Sequence, residues 1–400
     1  MKKVIWACIV VAMALASCAK DVVKTISVSV NISEAKIEEG VPTPEAYEVV
    51  FTNVATNQAT TVTSENGVAT APQIIPGVYN VSATASATAD GFSYNIAGSL
   101  SSVNFATEGQ VETLEVQAVK SSALVFKEIY FSGVPDYYFR DQFYEVYNNS
   151  DQTVYVDKMC ICESVFATYD VSQIYSWEIE NPEKYIFAQT IWQLPGNGTE
   201  YPVKPGESII IAQWGTNHQI ATLNPNSPVD LSGSEFEAIE AESTLWNGIV
   251  ITDGSAKNMA KVVNALGYDV PQWLTTVSGS RYVIFFPEGE LKNSDFIVAE
   301  GTSTQAREIP MEWVVDAVEA IADETCVSKK GLPTVLDSGY IWVSGSYSGE
   351  SISRKISETK DDGRVVYQDT NNTTNDFEVQ KPPVIRRNNA GVPSWNTWIK

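Results

Sequence analysis

Apolar and polar residues alternate along the first part of the chain. In residues 26–32 the sequence Ile-Ser-Val-Ser-Val-Asn-Ile changes character at every position, which is the period of a half-buried β-strand. Short runs rich in valine and threonine follow, and turn-forming pairs separate them. These pairs are Asn66-Gly67, Pro76-Gly77, Asp90-Gly91 and Glu108-Gly109. Several short strands at such spacing predict a β-sandwich.

The next part of the chain contains longer and more continuous apolar runs. They occupy residues 123–131, 142–150, 153–162 and 203–212. Runs of this length that are rich in Val, Ile, Tyr and Phe predict buried strands. We therefore expect a mostly β fold with one or two short helices.

Two stretches have the spacing of a helix. Residues 256–266 place apolar side chains three or four positions apart, and Ser255 can cap the start. Residues 311–322 repeat that spacing after Pro310, which is acceptable at the first helical position. The Trp-Val-Val-Asp-Ala-Val sequence of the second stretch also suits a strand, so this alternative stays open.

Tryptophan content changes along the chain. Residues 21–119 contain no tryptophan, whereas nine of the ten tryptophans lie from Trp177 onward. This shift, together with the length of the chain, predicts two domains, at 26–119 and 120–400.

The N-terminus predicts export and lipid anchoring. Lys2 and Lys3 precede an apolar run of signal-peptide length at residues 4–15. The following Leu-Ala-Ser-Cys sequence, which ends at Cys18, resembles a lipobox. We expect a signal peptide at 1–17, lipid on Cys18 and a tether at 18–25; the alternative is an ordinary secretory signal with a chance cysteine. Ala19 leaves no aspartate for inner-membrane retention, which favours the outer membrane, with the cell surface preferred over the periplasmic face.

The net charge excludes one class of partner. The chain carries 26 basic and 49 acidic residues, a formal charge of −23. Removal of residues 1–17 takes away two lysines and no acid, which leaves 24 basic residues and a charge of −25. A surface of this sign repels phosphate backbones, so we expect no nucleic acid partner.

Candidate catalytic chemistry is sparse. His218 is the only histidine, and proton-transfer mechanisms of the serine or cysteine type need an imidazole. No G-x-S-x-G turn accompanies it. We expect a hydrogen-bonded loop histidine, no cofactor and no enzymatic activity.

The cysteines and aspartates suggest structural tasks. Cys160 and Cys162 alternate along a predicted strand, and we expect both to be buried on one face together with Val154 and Val156. One histidine and one C-x-C pair do not fit structural zinc spacing. Calcium is a weaker hypothesis, because solvated turns also account for the acidic side chains concerned. Those side chains are Asp361, Asp362, Asp369 and Asp376.

Aromatic side chains in predicted loops are the candidate ligand or partner contacts. Rings in loops can stack on sugars, bind peptides or dock on a partner protein, although many rings belong to the core. The candidates are Tyr137, Tyr138, Phe139 and Arg140 in one loop, with Trp177, Trp192 and Trp214 further on.

Two motif sets resemble known domain families. Residues 66–69 and 76–81 resemble transthyretin-like (carboxypeptidase-regulatory-like) modules. The order of motifs from residue 123 to residue 212 resembles lamin-tail domains, which are immunoglobulin-like β-sandwiches. By that template, long insertions lie near 163–202 and 213–280.

A larger ordered set of motifs resembles one family over nearly the whole chain. Its members are Bacteroidota lipoproteins of unknown function, which tend to accompany TonB-dependent outer-membrane transporters. The resemblance implies a lipid-anchored accessory protein that captures a small ligand, peptide or glycan. The alternatives are a structural adhesin or fimbrial subunit, and a hydrolase that uses carboxylates alone. The motifs lie at residues 217–218, 224–227, 229–232, 308–310, 313–319, 351–355, 362–364, 369–372 and 375–377.

Overall fold

The computed structural model describes residues 24–37, 40–89, 92–165, 175–240 and 254–399. The predicted signal peptide and Cys18 lie outside these residues. Within the described ranges, no helix has both the length and the apolar character needed to cross a membrane. The fold is mostly β and of the β-sandwich class, as predicted.

Residues 26–120 form two small sheets, which together are called the N-terminal unit here. A three-stranded sheet has the order β4-β1-β7, and a five-stranded sheet has the order β3-β2-β5-β6-β8. In β1 the buried and half-exposed positions alternate, as the sequence pattern predicts. The strands are β1 (Ile26–Ser33), β2 (Glu48–Asn53), β3 (Ala59–Thr63), β4 (Val68–Ile74), β5 (Gly77–Ala89), β6 (Phe92–Phe105), β7 (Gln110–Glu115) and β8 (Gln117–Lys120).

The rest of the described chain forms two larger sheets and two short strand pairs. Its strands are β9 (Leu124–Tyr130), β10 (Phe143–Asn148), β11 (Val154–Tyr155), β12 (Cys160–Ser164), β13 (Tyr185–Gln193), β14 (Pro202–Val203), β15 (Ser208–Ala212), β16 (Phe236–Glu237), β17 (Lys257–Asn258), β18 (Ala260–Asn264), β19 (Arg281–Phe285), β20 (Ile297–Val298), β21 (Gln305–Pro310), β22 (Val314–Glu319), β23 (Ser351–Arg354), β24 (Ile356–Thr359), β25 (Val365–Tyr367) and β26 (Phe377–Gln380). One short α-helix, α1 (Thr373–Asp376), begins after the N-cap Asn372.

The two larger sheets pack face to face as a sandwich. The front sheet has the order β17-β16-β15-β10-β9-β23-β26, and the back sheet has the order β20-β21-β13-β12-β19-β22, with β18 added against β13. Phe126 and Ile211 of the front sheet share one buried core with Ile161, Trp192 and Ile284 of the back sheet. Burial of these large side chains supplies the main stabilisation of the sandwich.

The N-terminal unit covers part of the outer face of the back sheet. Ala97 of β6 and the half-buried Val119 of β8 pack in a second cluster with Cys162 and Val283 of the back sheet. The outer face of β12 is therefore apolar as well as its inner face. A cleft remains where the N-terminal unit and the back sheet separate.

Both helix predictions are wrong. Residues 257–258 and 260–264 are strands β17 and β18, and residues 314–319 are strand β22 after a short 3-10 helix at Met311–Trp313. β18 pairs with β13 and β22 pairs with β19. Both stretches are rich in β-branched valine, and their apolar residues fit the spacing of a helix and that of a strand equally well. Hydrogen bonds to a neighbouring strand decide which of the two structures forms.

The cysteine prediction is confirmed in part. Cys160 and Cys162 are buried and free on one face of β12. That face is the outer one, however, whereas Val154 and Val156 pack with Ile161 in the core between the sheets. The expectation that the valines share the cysteines' face is wrong, because a turn separates β11 from β12 and resets the alternation.

Buried ion pairs attach the C-terminal residues to the front sheet. Glu128 accepts hydrogen bonds from Arg387 Nε at 3.0 Å and Ser351 Oγ at 2.7 Å. Glu145 pairs with Lys127 at 3.0 Å, and both side chains are fully buried. Glu235 pairs with Arg386 at 2.5 Å. Each of these three buried carboxylates thus has a partner of opposite sign, which offsets the cost of removing its charge from water.

Candidate functional site

The cleft between the N-terminal unit and the back sheet has a volume of about 760 Å³. One wall is formed by residues 97–100 of β6 with Glu115 of β7, and the other by Trp177 and residues 185–187 of β13. Its size lies within the range of about 300–1,000 Å³ that is usual for small-ligand sites.

Three aromatic rings form the wall contributed by the back sheet. Trp177 stacks on Phe187 with a ring-centroid distance of 4.3 Å and an interplanar angle of 12°. Tyr175 contacts Trp177 at a centroid distance of 5.7 Å. Phe187 is buried in β13, whereas Trp177 and Tyr175 are half-buried. A rigid strand therefore supports an accessible indole, which is suited to stacking against a flat ligand.

Charged groups lie across the mouth of the cleft. Lys36 Nζ, in the N-terminal unit, lies 2.9 Å from Glu115 and 3.7 Å from Glu183, which belongs to the opposite wall. The hydrogen bond to Glu115 raises the pKa of Lys36. All three side chains are well exposed, so these pairs contribute little to stability. They leave carboxylates and an ammonium group within reach of a polar ligand.

A buried arginine forms part of the floor. Arg281 donates from Nε to Glu319 at 3.0 Å, and its two terminal nitrogens donate to the carbonyl oxygens of Val165 and Lys329. Gly331 lies against the guanidinium, where a Cβ atom would be 2.0 Å from Cζ. The arginine is thus locked in place, and a glycine is required beside it.

The predicted aromatic loop does not act as one surface. Tyr137 is 80% exposed, has a positive φ of 61° and contacts Tyr347 edge-on at 5.3 Å. In contrast, Arg140 is buried and donates to Gln272 at 3.2 Å. Phe139 is half-buried. Only Tyr137 of this loop is freely available to a partner.

Tyr138 instead binds the single histidine. Its hydroxyl lies 2.6 Å from His218 Nδ1, and His218 Nε2 lies 2.9 Å from the Trp214 carbonyl oxygen. Because a carbonyl can only accept, Nε2 carries the proton and Nδ1 accepts from Tyr138. The prediction of a hydrogen-bonded loop histidine is confirmed.

Burial lowers the pKa of His218 from 6.5 to about 4. Between these values the unfolded chain binds a proton that the native chain does not, so acidification lowers stability by about 3 kcal/mol from this group alone. We expect the single imidazole NMR signal to titrate near pH 4. The stability advantage of the wild type over His218→Gln should shrink between pH 7 and pH 4 and stay constant above pH 7. Titration of the signal near pH 6.5 would contradict this assignment.

Two of the predicted binding tryptophans belong to the interior. Trp192 is fully buried in the core between the sheets, and Trp214 is 5% exposed beside Ile239. Their assignment as ligand contacts is wrong, because neighbouring side chains bury both rings. Of the three tryptophans, only Trp177 lines the cleft.

Two of the four suggested calcium ligands pair with an arginine. Asp369 and Asp376 lie 3.0 Å and 3.6 Å from Arg354 Nη1. Asp362 caps the turn between β24 and β25 by accepting from the Arg364 backbone N–H, and Asp361 is in the same turn. Among the described residues, no group of three or more His, Cys, Asp or Glu side chains is arranged to hold a metal ion. Asp369 and Asp376 therefore compensate the charge of Arg354, and calcium binding at Asp361 and Asp362 stays a prediction.

Sequence reasoning missed most of the cleft. Lys36, Glu115 and Phe187 come from distant segments, and nothing local marks them as neighbours. The Tyr-Ser-Trp sequence at 175–177 was the one signal available.

Comparisons with known proteins give a family and one similar structure. A sequence model of DUF4876, a protein family of unknown function, matches residues 204–384. The crystal structure of a DUF4876 family protein from Bacteroides thetaiotaomicron VPI-5482 is 36% identical, covers 93% of this chain and 99% of its own, and has a TM-score of 0.64. A proposed adhesin from Bacteroides ovatus ATCC 8483 is 8% identical over 72% of this chain and 83% of its own, with a TM-score of 0.19, too low to support any inference. No curated protein matches the chain.

Proposed function

Since the chain belongs to the DUF4876 family, whose function is unknown, we propose a function from the molecule itself: a lipid-anchored, non-enzymatic ligand-capture protein of the outer membrane. The observation that carries this proposal is the Trp177–Phe187 stack in the wall of the cleft between the N-terminal unit and the back sheet.

The cleft favours glycans or peptides as ligands. A half-buried indole supported from behind offers an apolar face to a sugar ring or a flat side chain. The carboxylates of Glu115 and Glu183 and the ammonium group of Lys36 are nearby for hydroxyl or amide groups. An apolar platform with a few polar groups is the usual composition of a ligand site.

Anchoring would place this cleft near a membrane surface. The lipobox-like sequence that ends at Cys18 supports lipid attachment, and seven residues separate that cysteine from β1. One wall of the cleft belongs to the N-terminal unit, which follows the tether directly. Two or three acyl chains hold a protein firmly, since each buried methylene contributes about 0.8 kcal/mol.

A TonB-dependent barrel is the proposed partner, supported by the resemblance of the motif set to lipoproteins that accompany such transporters. The test is a mild-detergent pull-down of the tagged full chain from its native membrane, followed by mass spectrometry. We expect a stoichiometric TonB-dependent barrel. The Cys18→Ala variant should be released from the membrane and should lose the barrel, because the lipid holds the chain in the membrane plane.

Other outcomes would redirect the proposal. Recovery of the chain alone would contradict the transporter partnership. Recovery of a homopolymer, visible as a ladder on gels, would favour a structural adhesin or fimbrial subunit.

A further inference from the structure

A second cavity of about 350 Å³ opens at one end of the sandwich, on the far side of Ser164 and Val165 from the cleft. It is lined by the end of β12, the middle of β13 and the loop at residues 266–276. The lining includes Glu163 of β12, which is half-buried, and the buried side chains of Trp273 and Ser280.

Glu163 is placed where an apolar residue would be expected. Side chains two positions apart on a strand point to the same face, so Glu163 lies on the face of β12 that carries the core residue Ile161. Its partner on the neighbouring strand is Tyr282. No lysine, arginine or histidine is among the described residues that line the cavity. Burial raises the pKa of Glu163 to about 7, and hydrogen bonds from Ser280 and Trp273 oppose that shift. The carboxylate has no cation beside it in this part of the chain.

Two buried donor groups lie against the carboxylate. The Trp273 indole N–H and the Ser280 hydroxyl hydrogen bond to Glu163, without ideal geometry, and favour its ionised form. An indole N–H can only donate, so it requires an acceptor. The two donors therefore hold an ionisable carboxyl group in a cavity that has room for a ligand and, among the described lining residues, no cation.

We propose that the Glu163 cavity binds a protonated amine. A carboxylate in a low-dielectric cavity is stabilised strongly by a cation and would repel an anion. Tyr268, which is 64% exposed, and Trp273 line the same cavity, and aromatic rings attract ammonium groups.

The test is calorimetric titration of the full chain in detergent at about pH 8, where Glu163 is ionised. The probes are cadaverine, which represents free amines, and Nα-acetyl-lysine amide, which represents a peptide side chain. We expect a dissociation constant of about 1 mM or tighter for at least one of them, and none measurable for the neutral isostere pentanediol. Glu163→Gln should weaken amine binding about tenfold or more. The matched control, Glu290→Gln on the surface, should bind as the wild type does.

Tyr268→Ala provides a second variant whose folding is not in question, because the ring is mostly exposed. It should weaken amine binding by about threefold. Equal binding by Glu163→Gln and the wild type, or binding of neither amine, would overturn the proposal and leave ordered water as the occupant. Trp177→Ala should leave amine binding unchanged, which separates failure of this site from failure of the cleft.

Discussion

Replacement of Arg354 by methionine is expected to lower the free energy of unfolding by about 3–5 kcal/mol at neutral pH. Arg354 is fully buried and lies 2.6 Å from Asp316, with Asp369 and Asp376 also within ion-pair distance. Methionine fills a similar volume but leaves these carboxylates without a cation in the interior. Denaturant unfolding monitored by tryptophan fluorescence would measure the loss.

The pH dependence distinguishes lost charge compensation from lost packing. Burial already raises the pKa of Asp316 to about 7, although Arg354 opposes this shift. Without the arginine the carboxyls become still harder to ionise. The variant therefore loses stability above pH 7, where the carboxyls must be ionised, and this loss declines as acid protonates them. The destabilisation should therefore be smaller at pH 5 than at pH 8. The control Lys355→Met, at a half-exposed neighbour, should cost less than about 1 kcal/mol. A loss independent of pH would contradict the charge explanation.

Replacement of Trp177 by alanine is expected to weaken ligand binding in the cleft by about thirtyfold. A central aromatic contact typically contributes about 2 kcal/mol to binding, which corresponds to this factor. The ligand would first be found by screening the wild-type full chain on glycan and peptide arrays. Titration of the variants with that ligand would then give the ratio of dissociation constants.

Trp342→Ala is the matched control for this experiment. Trp342 is 38% exposed and, like Trp177, has a stacked aromatic neighbour, Tyr340 at 6.1 Å, but it does not line the cleft. The Trp342→Ala variant should bind the array ligand as the wild type does. Equal weakening by both substitutions would place the ligand elsewhere, and the absence of any array ligand would contradict capture of glycans or peptides.

The β architecture could be predicted from local sequence because the pattern of apolar and polar residues in each strand matches which of its side chains are buried. The alternation in residues 26–32 appears unchanged in β1, and the continuous apolar run near residue 125 becomes the fully buried β9. The helix predictions at residues 256–266 and 311–322 failed because local spacing did not decide there. Valine-rich segments fit both helix and strand spacing, and pairing with a neighbouring strand made them strands.

Candidate site residues were harder to predict than strands. Tyr137, Trp177, Trp192 and Trp214 looked alike as aromatic side chains in predicted loops. Their solvent exposure differs because it depends on which neighbouring elements pack over each ring. β13 carries Trp192 into the core between the sheets, whereas the chain at Trp177 lies at the border of the N-terminal unit. That border is formed by residues far apart in sequence.

The sequence by itself determined the mostly β class, the burial of Cys160 and Cys162 and the absence of a free imidazole, since these depend on residue type and local period. Only the tertiary structure decided which charges meet. Arg354 and Asp316 are 38 residues apart, Lys36 and Glu183 face each other across the cleft, and Glu163 has no cation near it among the described residues. Electrostatic energy depends on distance and on solvent exclusion, and both are set by the packing of distant strands.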